Sequence, residues 1–201
     1  MDLIPELDVL AGSERLAEVV AVLDAGGVVG LPTDTVYGLA ARLDRPSGID
    51  RLFELKDRPA GMPVAVLVSS EEQAWSCGRT GPEVRALVRR YWPGALTVVV
   101  EALGDVADRV GSDDGSIGLR CPDHELVRAL AATVGPLATT SANRHGHPTP
   151  HTAAEVAACF PDVIVIDGGP LEGRPSTVVD ARGSRLVLLR AGDVDVGLGG
   201  S

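Results

Sequence analysis

Apolar residues recur at helical spacing in five segments of the chain. In the first segment, Leu16, Val19 and Leu23 fall on one face of a helix. Ser13 precedes it as an N-cap, and Gly26 follows it as a stop. The same reasoning predicts helices over residues 14–24, 49–56, 82–91, 124–134 and 153–160. The residues expected to begin the later four are Ser47, Pro82, Asp123 and Thr152.

Short apolar runs bounded by Gly, Pro or polar residues predict the strands. They cover residues 28–31, 37–43, 64–68, 96–100, 116–120, 137–140, 163–166, 177–179 and 186–189. Helices and strands alternate irregularly, which favours an α/β fold with a mixed sheet over a regular doubly wound one. The sequence contains no internal repeat. We therefore expect one domain over residues 1–201, with its core at about 13–192 and a frayed Gly-rich tail at 196–201.

Composition restricts the protein class. The chain has 201 residues, 45% of them hydrophobic, and no run approaches the roughly 18 apolar residues of a membrane-spanning helix. The N-terminus lacks the basic and apolar regions of a secretory signal. Cys77, Cys121 and Cys159 are odd in number and have no CxxC spacing, which argues against a disulfide framework or a zinc ribbon. These features predict a soluble cytoplasmic protein.

The charge balance argues against a nucleic-acid-binding surface. Eighteen basic residues face 28 acidic ones, so the formal net charge is −10, and phosphate backbones are repelled unless cations are concentrated in one place. Only six aromatic residues are present to stack on bases. We expect no stable binding to bulk nucleic acid, but a small anion in a local basic pocket remains possible.

Common catalytic motifs are missing from the sequence. Lys56 is the only lysine, and Asp57 follows it, so no Walker A loop exists. No GxGxxG opens a helix after a strand, and neither GxSxG nor HExxH occurs. His145, His147 and His151 could approach a metal, but a solvated loop of ordinary imidazoles is the stronger interpretation.

Three polar clusters follow apolar strands or end a helix, where binding sites are usually built. They are residues 32–35 (PTDT), residues 56–59 (KDRP) and residues 139–143 (TTSAN). Each also has a structural explanation, as turn formers or as cations at a helix end. Arg120 and Arg190 each end an apolar strand, where an unpaired guanidinium is costly if buried.

Taken in order, these motifs resemble the YrdC-like family of threonylcarbamoyl-AMP synthases, which begin the threonylcarbamoyladenosine modification of tRNA. The resemblance covers residues 26–192. It includes PTDTVYGL (32–39), the KxR pair of Lys56 and Arg58, YWPGALT (91–97), GLRCPDH (118–124), TTSAN (139–143), STVVD (176–180) and LRAG (189–192).

The resemblance implies a twisted mixed sheet flanked by helices around a large concave cavity. It implies L-threonine, bicarbonate or CO2, and ATP with Mg²⁺ as substrates, and a nucleotidyl transfer without a protein nucleophile. The implied threonine-binding residues are Thr35, Arg120, Thr139 and Ser176. The implied nucleotide-binding residues are Lys56, Arg58, Ser116, Ser141, Asn143, Thr149 and Arg190, of which Lys56, Arg58, Ser141 and Asn143 form the catalytic set. No protein side chain is assigned as a metal ligand.

The sequence departs from the family pattern at Met62, Leu67 and Pro175. The chain ends soon after LRAG, and we expect the short, single-domain form of the family. Its partners would be the proteins that transfer the threonylcarbamoyl group to tRNA. Two alternatives remain: a relative with other carbamoyl-adenylate chemistry, and an RNA-binding or ribosome-maturation module of the same fold.

Overall fold

Strands from both ends of the chain join one sheet in the computed structural model, which describes residues 3–10, 14–56, 62–144 and 146–198. Within these residues the strands are β1 (Leu3–Pro5), β2 (Val29–Leu31), β3 (Gly38–Arg42), β4 (Ala65–Leu67), β5 (Leu96–Glu101), β6 (Ser116–Arg120), β7 (Leu137–Ser141), β8 (Ile164–Asp167), β9 (Thr177–Asp180) and β10 (Val187–Arg190). Their order across the sheet is β1-β8-β2-β3-β7-β4-β6-β5-β9-β10. All nine predicted strands are present, with ends shifted by at most one residue.

The sheet mixes parallel and antiparallel pairs, as the irregular alternation of elements predicted. β8 pairs in parallel with both β1 and β2, and Leu3 lies opposite Val165. β3 and β7 are antiparallel, and β4 then pairs antiparallel to β7 but parallel to β6. β5 lies between β6, to which it is antiparallel, and β9, to which it is parallel. The expected α/β fold is therefore confirmed.

The helices of the described residues are α1 (Glu6–Leu10), α2 (Glu14–Asp24), α3 (Pro46–Lys56), α4 (Glu71–Trp75), α5 (Pro82–Tyr91), α6 (Val106–Arg109), α7 (Glu125–Val134) and α8 (Ala153–Cys159). The start of α5 at Pro82 is confirmed, as is the Thr152 cap of α8, which forms a complete capping box with Glu155. Four short elements were not predicted: β1, α1, α4 and α6. The predicted cap of the first long helix, Ser13, lies outside the described residues.

Two predicted helix starts are wrong. α3 begins at Pro46, so Ser47 lies inside it, because the Arg45 carbonyl already accepts from the Gly48 and Ile49 amides at 3.0 and 3.4 Å. Proline is favoured in a first turn, where its missing N–H costs nothing. The N-cap of α7 is His124 and not Asp123. The Asp123 carboxylate instead accepts from Arg128 Nη1 at 3.2 Å.

Alternation along the strands divides the apolar residues between the two faces of the sheet. On one face, Leu39 and Ala41 of β3 belong to a core cluster that includes Leu52 of α3 and Val88 of α5. On the other face, Ala40 belongs to a second cluster built with α2 and α7. The helices α2 and α7 contact β2, β3 and β4. On that same face, the adjoining strands β6, β5 and β9 carry polar residues such as Ser116 and Thr97, together with Gly118, Val99 and Val178.

A nine-residue connection, residues 168–176, links the second strand in the sheet order to the ninth. Seven strand spacings across a flat sheet measure about 33 Å, which is close to the full reach of such a segment. The connection passes against the residues that follow β2, because a Cβ on Gly173 would lie 2.1 Å from the Thr35 carbonyl oxygen. It therefore crosses the sheet on the side where Thr35 lies.

The end of the described chain differs from the predicted frayed tail. Val196 and Leu198 are partly buried and pack against the first core cluster. Residues 199–201 lie outside the described residues.

Candidate functional site

A cavity of about 370 Å³ lies against one face of the sheet. Alternation places Ser116, Gly118 and Arg120 of β6 in its wall, whereas Ile117 and Leu119 point into the core. The full lining is Thr33, Thr35, Val36, Pro63, Val64, Ala65, Leu67, Thr97, Val99, Ser116, Gly118, Arg120, Thr139, Thr140, Ser141, Thr149, Pro175, Ser176, Val178 and Arg190. Hydroxyl groups and two guanidinium groups thus line a partly apolar space.

Eight of the eleven residues implied by the resemblance lie in this wall. They are Thr35, Ser116, Arg120, Thr139, Ser141, Thr149, Ser176 and Arg190. Lys56 and Asn143 are not among the lining residues, but both form hydrogen bonds with Ser141. Arg58 lies outside the described residues. Residues more than a hundred positions apart in the chain are therefore brought together, although their roles remain predictions.

Arg120 is held by three different acceptors. Its Nη2 donates to Asp34 Oδ1 at 2.6 Å, and both side chains are largely buried, at 7% and 14% exposure. Its Nη1 donates to Thr35 Oγ1 at 2.9 Å, and its Nε donates to the Gly94 carbonyl at 3.0 Å. These bonds fix the plane of the guanidinium group at the end of β6, where its remaining N–H groups can receive an anion.

Arg190 lies at the same end of the cavity as Arg120, but its guanidinium group forms hydrogen bonds with a different residue. Its Nε and Nη2 donate to the Ser176 carbonyl at 3.0 and 2.9 Å, and Nη2 also reaches Ser176 Oγ at 3.1 Å. Ser176 Oγ lies 2.8 Å from Thr97 Oγ1. Partial burial, together with the nearby charge of Arg120, lowers the pKa of Arg190. Among the described residues, no carboxylate forms an ion pair with Arg190, so its charge favours an anionic ligand.

Lys56 lies at the end of α3 and is only 3% exposed. Its Nζ donates to the Ser141 carbonyl at 2.8 Å and to Asn143 Oδ1 at 3.0 Å. Ser141 Oγ donates to the same Asn143 oxygen at 2.5 Å, while Asn143 Nδ2 donates to the His147 carbonyl at 2.8 Å. The only lysine is therefore part of a network that shapes the loop after β7.

The turn after β2 is organised by Thr33, which the sequence did not single out as a site residue. Its Oγ1 donates to the Val36 carbonyl at 2.7 Å and accepts from the Thr35 amide at 3.1 Å. The two threonine hydroxyls lie 3.0 Å apart. The turn thus presents Thr35 to Arg120, and the run of three polar residues after a buried strand was the available signal.

A second missed group lies at the start of β6. Asp114 Oδ1 accepts from Ser112 Oγ and from the Ser116 amide, and Arg182 Nη1 donates to Asp114 Oδ2 at 2.6 Å. Arg182 also forks onto Asp180 at the end of β9. Asp114 and Arg182 are 68 positions apart, so no local pattern in the sequence could have joined them.

The three departures from the family pattern occupy different places. Leu67 and Pro175 line the cavity, whereas Met62 is 41% exposed and is not among the lining residues. Of the loop histidines, His151 Nδ1 lies 2.7 Å from the Leu171 carbonyl, and His145 lies outside the described residues. Within the described part of the chain, no group of three or more His, Cys, Asp or Glu residues could hold a metal ion.

None of the helices in the described ranges has both the length and the apolar character needed to cross a membrane.

The comparisons with known proteins agree with one another. The Sua5/YciO/YrdC family model, described as telomere recombination, matches residues 21–192. Threonylcarbamoyl-AMP synthase of Bacillus subtilis (strain 168) is 36% identical over 186 residues, covering 90% of this chain and 54% of that protein. Threonylcarbamoyl-AMP synthase of Chromohalobacter salexigens is 34% identical over 173 residues, covering 84% of this chain and 93% of that protein.

A solved structure of Pyrococcus abyssi Sua5 complexed with L-threonine superimposes with a TM-score of 0.83. It is 34% identical and covers 95% of this chain. This chain spans 56% of that protein's length.

Proposed function

Because the chain belongs to the Sua5/YciO/YrdC family, we propose that it is a threonylcarbamoyl-AMP synthase. It converts L-threonine, bicarbonate or CO2, and ATP into threonylcarbamoyl-AMP and pyrophosphate. The reaction transfers the adenylyl group of ATP, so the enzyme acts as a nucleotidyltransferase. The observation that carries the proposal is the convergence of Arg120, Arg190 and several hydroxyl groups on one cavity, which suits substrates with carboxylate and phosphate groups.

L-Threonine binds at the end of the cavity formed by Thr35, Arg120, Thr139 and Ser176. The guanidinium group of Arg120 receives its carboxylate, because Asp34, Thr35 and Gly94 hold that group in one plane. A fixed guanidinium recognises a carboxylate with two parallel hydrogen bonds. The L-threonine bound to the Pyrococcus relative supports this ligand.

ATP occupies the remainder of the cavity. Its phosphates are neutralised by Lys56, Arg58 and Arg190, while Ser116, Ser141, Asn143 and Thr149 supply polar contacts. Mg²⁺ enters with ATP as part of the substrate complex and adds positive charge on the triphosphate. The overall charge of −10 does not oppose this binding, because Arg120 and Arg190 both lie in the wall of one cavity.

The chemistry requires positioning more than a reactive side chain. The threonine nitrogen attacks the carbon of CO2 and loses a proton, which forms a carbamate. A carbamate oxygen then attacks the α-phosphorus of ATP, and the bond from that phosphorus to the bridging oxygen of pyrophosphate breaks. Arg120 orients the nucleophile, and the cations on the triphosphate stabilise the charge that develops on the leaving group.

The product is a reactive mixed anhydride, so it needs a prompt acceptor. By family resemblance, the acceptor system consists of proteins that transfer the threonylcarbamoyl group to tRNA in the cytoplasm.

The test is a product analysis of the purified chain with each substrate omitted in turn. We expect pyrophosphate and an acylated AMP only when ATP, threonine and bicarbonate are all present. Release of ADP and phosphate, or pyrophosphate release without threonine, would contradict the proposal.

A further inference from the structure

The hydroxyl group of Ser116 faces the cavity from the first position of β6. Behind it lies a cluster formed by Ser112 and Asp114. Ser116 is 6% exposed. Its Oγ lies 3.3 Å from Ser112 Oγ, and its amide donates to Ser112 Oγ and to Asp114 Oδ1, both at 3.1 Å. Ser112 Oγ in turn donates to Asp114 Oδ1 at 3.0 Å. The cluster decides which way the serine protons point.

Each serine hydroxyl has one proton and two lone pairs. The Ser112 proton is committed to the Asp114 carboxylate, because hydrogen bonds to an ionised acceptor are roughly twice as strong as neutral ones. Ser112 Oγ then has only lone pairs to offer its neighbour. The Ser116 proton therefore stays within the cluster, and the lone pairs of Ser116 Oγ are directed into the cavity.

Arg182 keeps the carboxylate in its ionised, accepting state. Its Nη1 lies 2.6 Å from Asp114 Oδ2, and Nε and Nη2 bind Asp180 at 3.0 and 2.7 Å. Bonds from the Ser116 side chain, from Arg182 and from Ser112 hold the pKa of Asp114 well below its usual range. Asp114 thus remains an acceptor at any pH at which the enzyme works, and the direction of the Ser116 proton does not change.

We propose that Ser116 accepts a hydrogen bond from the nucleoside part of ATP, from a ribose hydroxyl or from the amino group of adenine, and does not donate to a phosphate. This inference rests on the proposed function. Phosphate oxygens at neutral pH only accept hydrogen bonds, so they match poorly with an oxygen that presents lone pairs. A hydroxyl or amino group of the nucleoside supplies the missing donor.

The position of Ser116 agrees with this role. It lies at the opposite end of β6 from Arg120, about 13 Å away along the strand. The α-phosphate must lie beside the threonine bound at Arg120 for the carbamate to reach it. A contact four residues along the strand therefore suits a more distant part of the nucleotide.

Equilibrium binding of nucleotides, measured by calorimetry without threonine or bicarbonate, tests the proposal. The ligands are ATP, 2′-deoxy-ATP, 3′-deoxy-ATP and purine riboside triphosphate, which lacks the adenine amino group. We expect Ser116→Ala to bind ATP about five- to tenfold more weakly. With the analogue that lacks the donor, wild type and Ser116→Ala should bind equally. The analogue for which the difference vanishes identifies the donor as a sugar hydroxyl or as the base amino group.

Two further variants make the result specific. Ser76→Ala removes an exposed hydroxyl that donates to the Gln73 carbonyl, and it should bind every nucleotide as wild type does. Asp114→Asn removes the charge that holds the serine protons, and it should reduce the discrimination between ATP and the critical analogue.

The proposal is overturned if wild type binds all four nucleotides equally, or if Ser116→Ala weakens all four to the same extent. Because binding is measured without turnover, the binding result can be interpreted even if the synthase reaction does not occur. Failure of ATP itself to bind would overturn both the inference and the proposed function.

Discussion

Arg120 and Asp34 form a buried ion pair, so Arg120 contributes to the stability of the fold in addition to its proposed contact with threonine. Removing one member of a buried pair leaves the other charge without a partner. We predict that Arg120→Ala lowers the free energy of unfolding by about 3–5 kcal/mol, measured by urea denaturation. Arg109→Ala, which removes an exposed bridge to Asp105, should change it little. Equal losses in the two variants would show that burial of the pair has no special effect.

Threonine affinity is better measured in a variant that keeps the charge of Arg120. Arg120→Ala changes both threonine binding and the stability of the fold, whereas Arg120→Lys keeps a positive charge beside Asp34 but loses the planar fork. The lysine variant is therefore the better probe of threonine recognition.

Lys56 should not be replaceable by arginine, although arginine supplies the other 17 basic residues. The ammonium group donates to Ser141 and Asn143 in a buried site, and a wider guanidinium would displace that loop. We predict that Lys56→Arg lowers turnover by about 10²–10³-fold and also lowers the melting temperature. Arg51→Lys, the reverse exchange at an exposed position of α3, should alter neither quantity. Wild-type turnover in Lys56→Arg would refute this role.

Local patterns in the sequence located part of the cavity wall. Thr35, Ser141 and Arg190 each follow or end an apolar strand, and all three line the cavity. Asp114 and Arg182 were missed because their contact depends on the order β6-β5-β9, which local patterns do not encode.

At the scale of the element, the side chains of β6 alternate between the cavity and the core. Substitutions on one face should therefore change ligand affinity, and substitutions on the other face should change the free energy of unfolding. Gly118 faces the cavity, where a Cβ would lie 3.3 Å from Thr97 Cγ2, and the methyl groups of a valine would extend into the ligand space. We predict that Gly118→Val weakens both ATP and threonine binding, measured by calorimetry, with little change in the free energy of unfolding.

Ile117→Val is the matched control on the opposite face of β6. It should lower the free energy of unfolding by about 0.5–1.5 kcal/mol and leave both affinities unchanged. If Ile117→Val weakened ligand binding and Gly118→Val lowered the free energy of unfolding, the description of the two faces would be contradicted.

The helices found from sequence are longer than the helices that were missed. α5 was predicted to the residue, because Pro82 begins it and its apolar positions recur at helical spacing. α1, α4 and α6 have only four or five residues, which is too short for a periodic pattern. Such short helices are stabilised by tertiary packing and not by their own propensity.

At the scale of the whole molecule, fold class followed from the alternation of elements, but strand order did not. The order depends on pairings between distant segments, and the connection 168–176 crosses the sheet without any regular structure of its own. Helix and strand periodicities report which face a residue occupies, but they carry no information about which strand lies beside it.

Acid should destabilise the molecule through its paired carboxylates. Bonds from Arg42 lower the pKa of Asp44, and bonds from Arg182 lower that of Asp180. Each group binds protons more weakly in the folded state, so its contribution is complete above the unfolded pKa, about 4, and is lost as pH falls through the lower folded value. We predict a melting temperature that falls below about pH 4. Arg182→Gln should flatten this acid limb, and an unchanged slope would contradict the assignment.

The pairing of β1 with β8 has a consequence for synthesis on the ribosome. Leu3 is made well before its partner Val165, which lies more than 160 positions later in the chain. At about 5–20 residues per second, the N-terminal strand waits roughly 10–30 s for the backbone groups that it finally binds. β2 also needs β8, since Val29 lies opposite Ile164. One end of the sheet therefore remains an open edge during most of translation, and a chain stalled before residue 164 would expose it to neighbouring nascent chains.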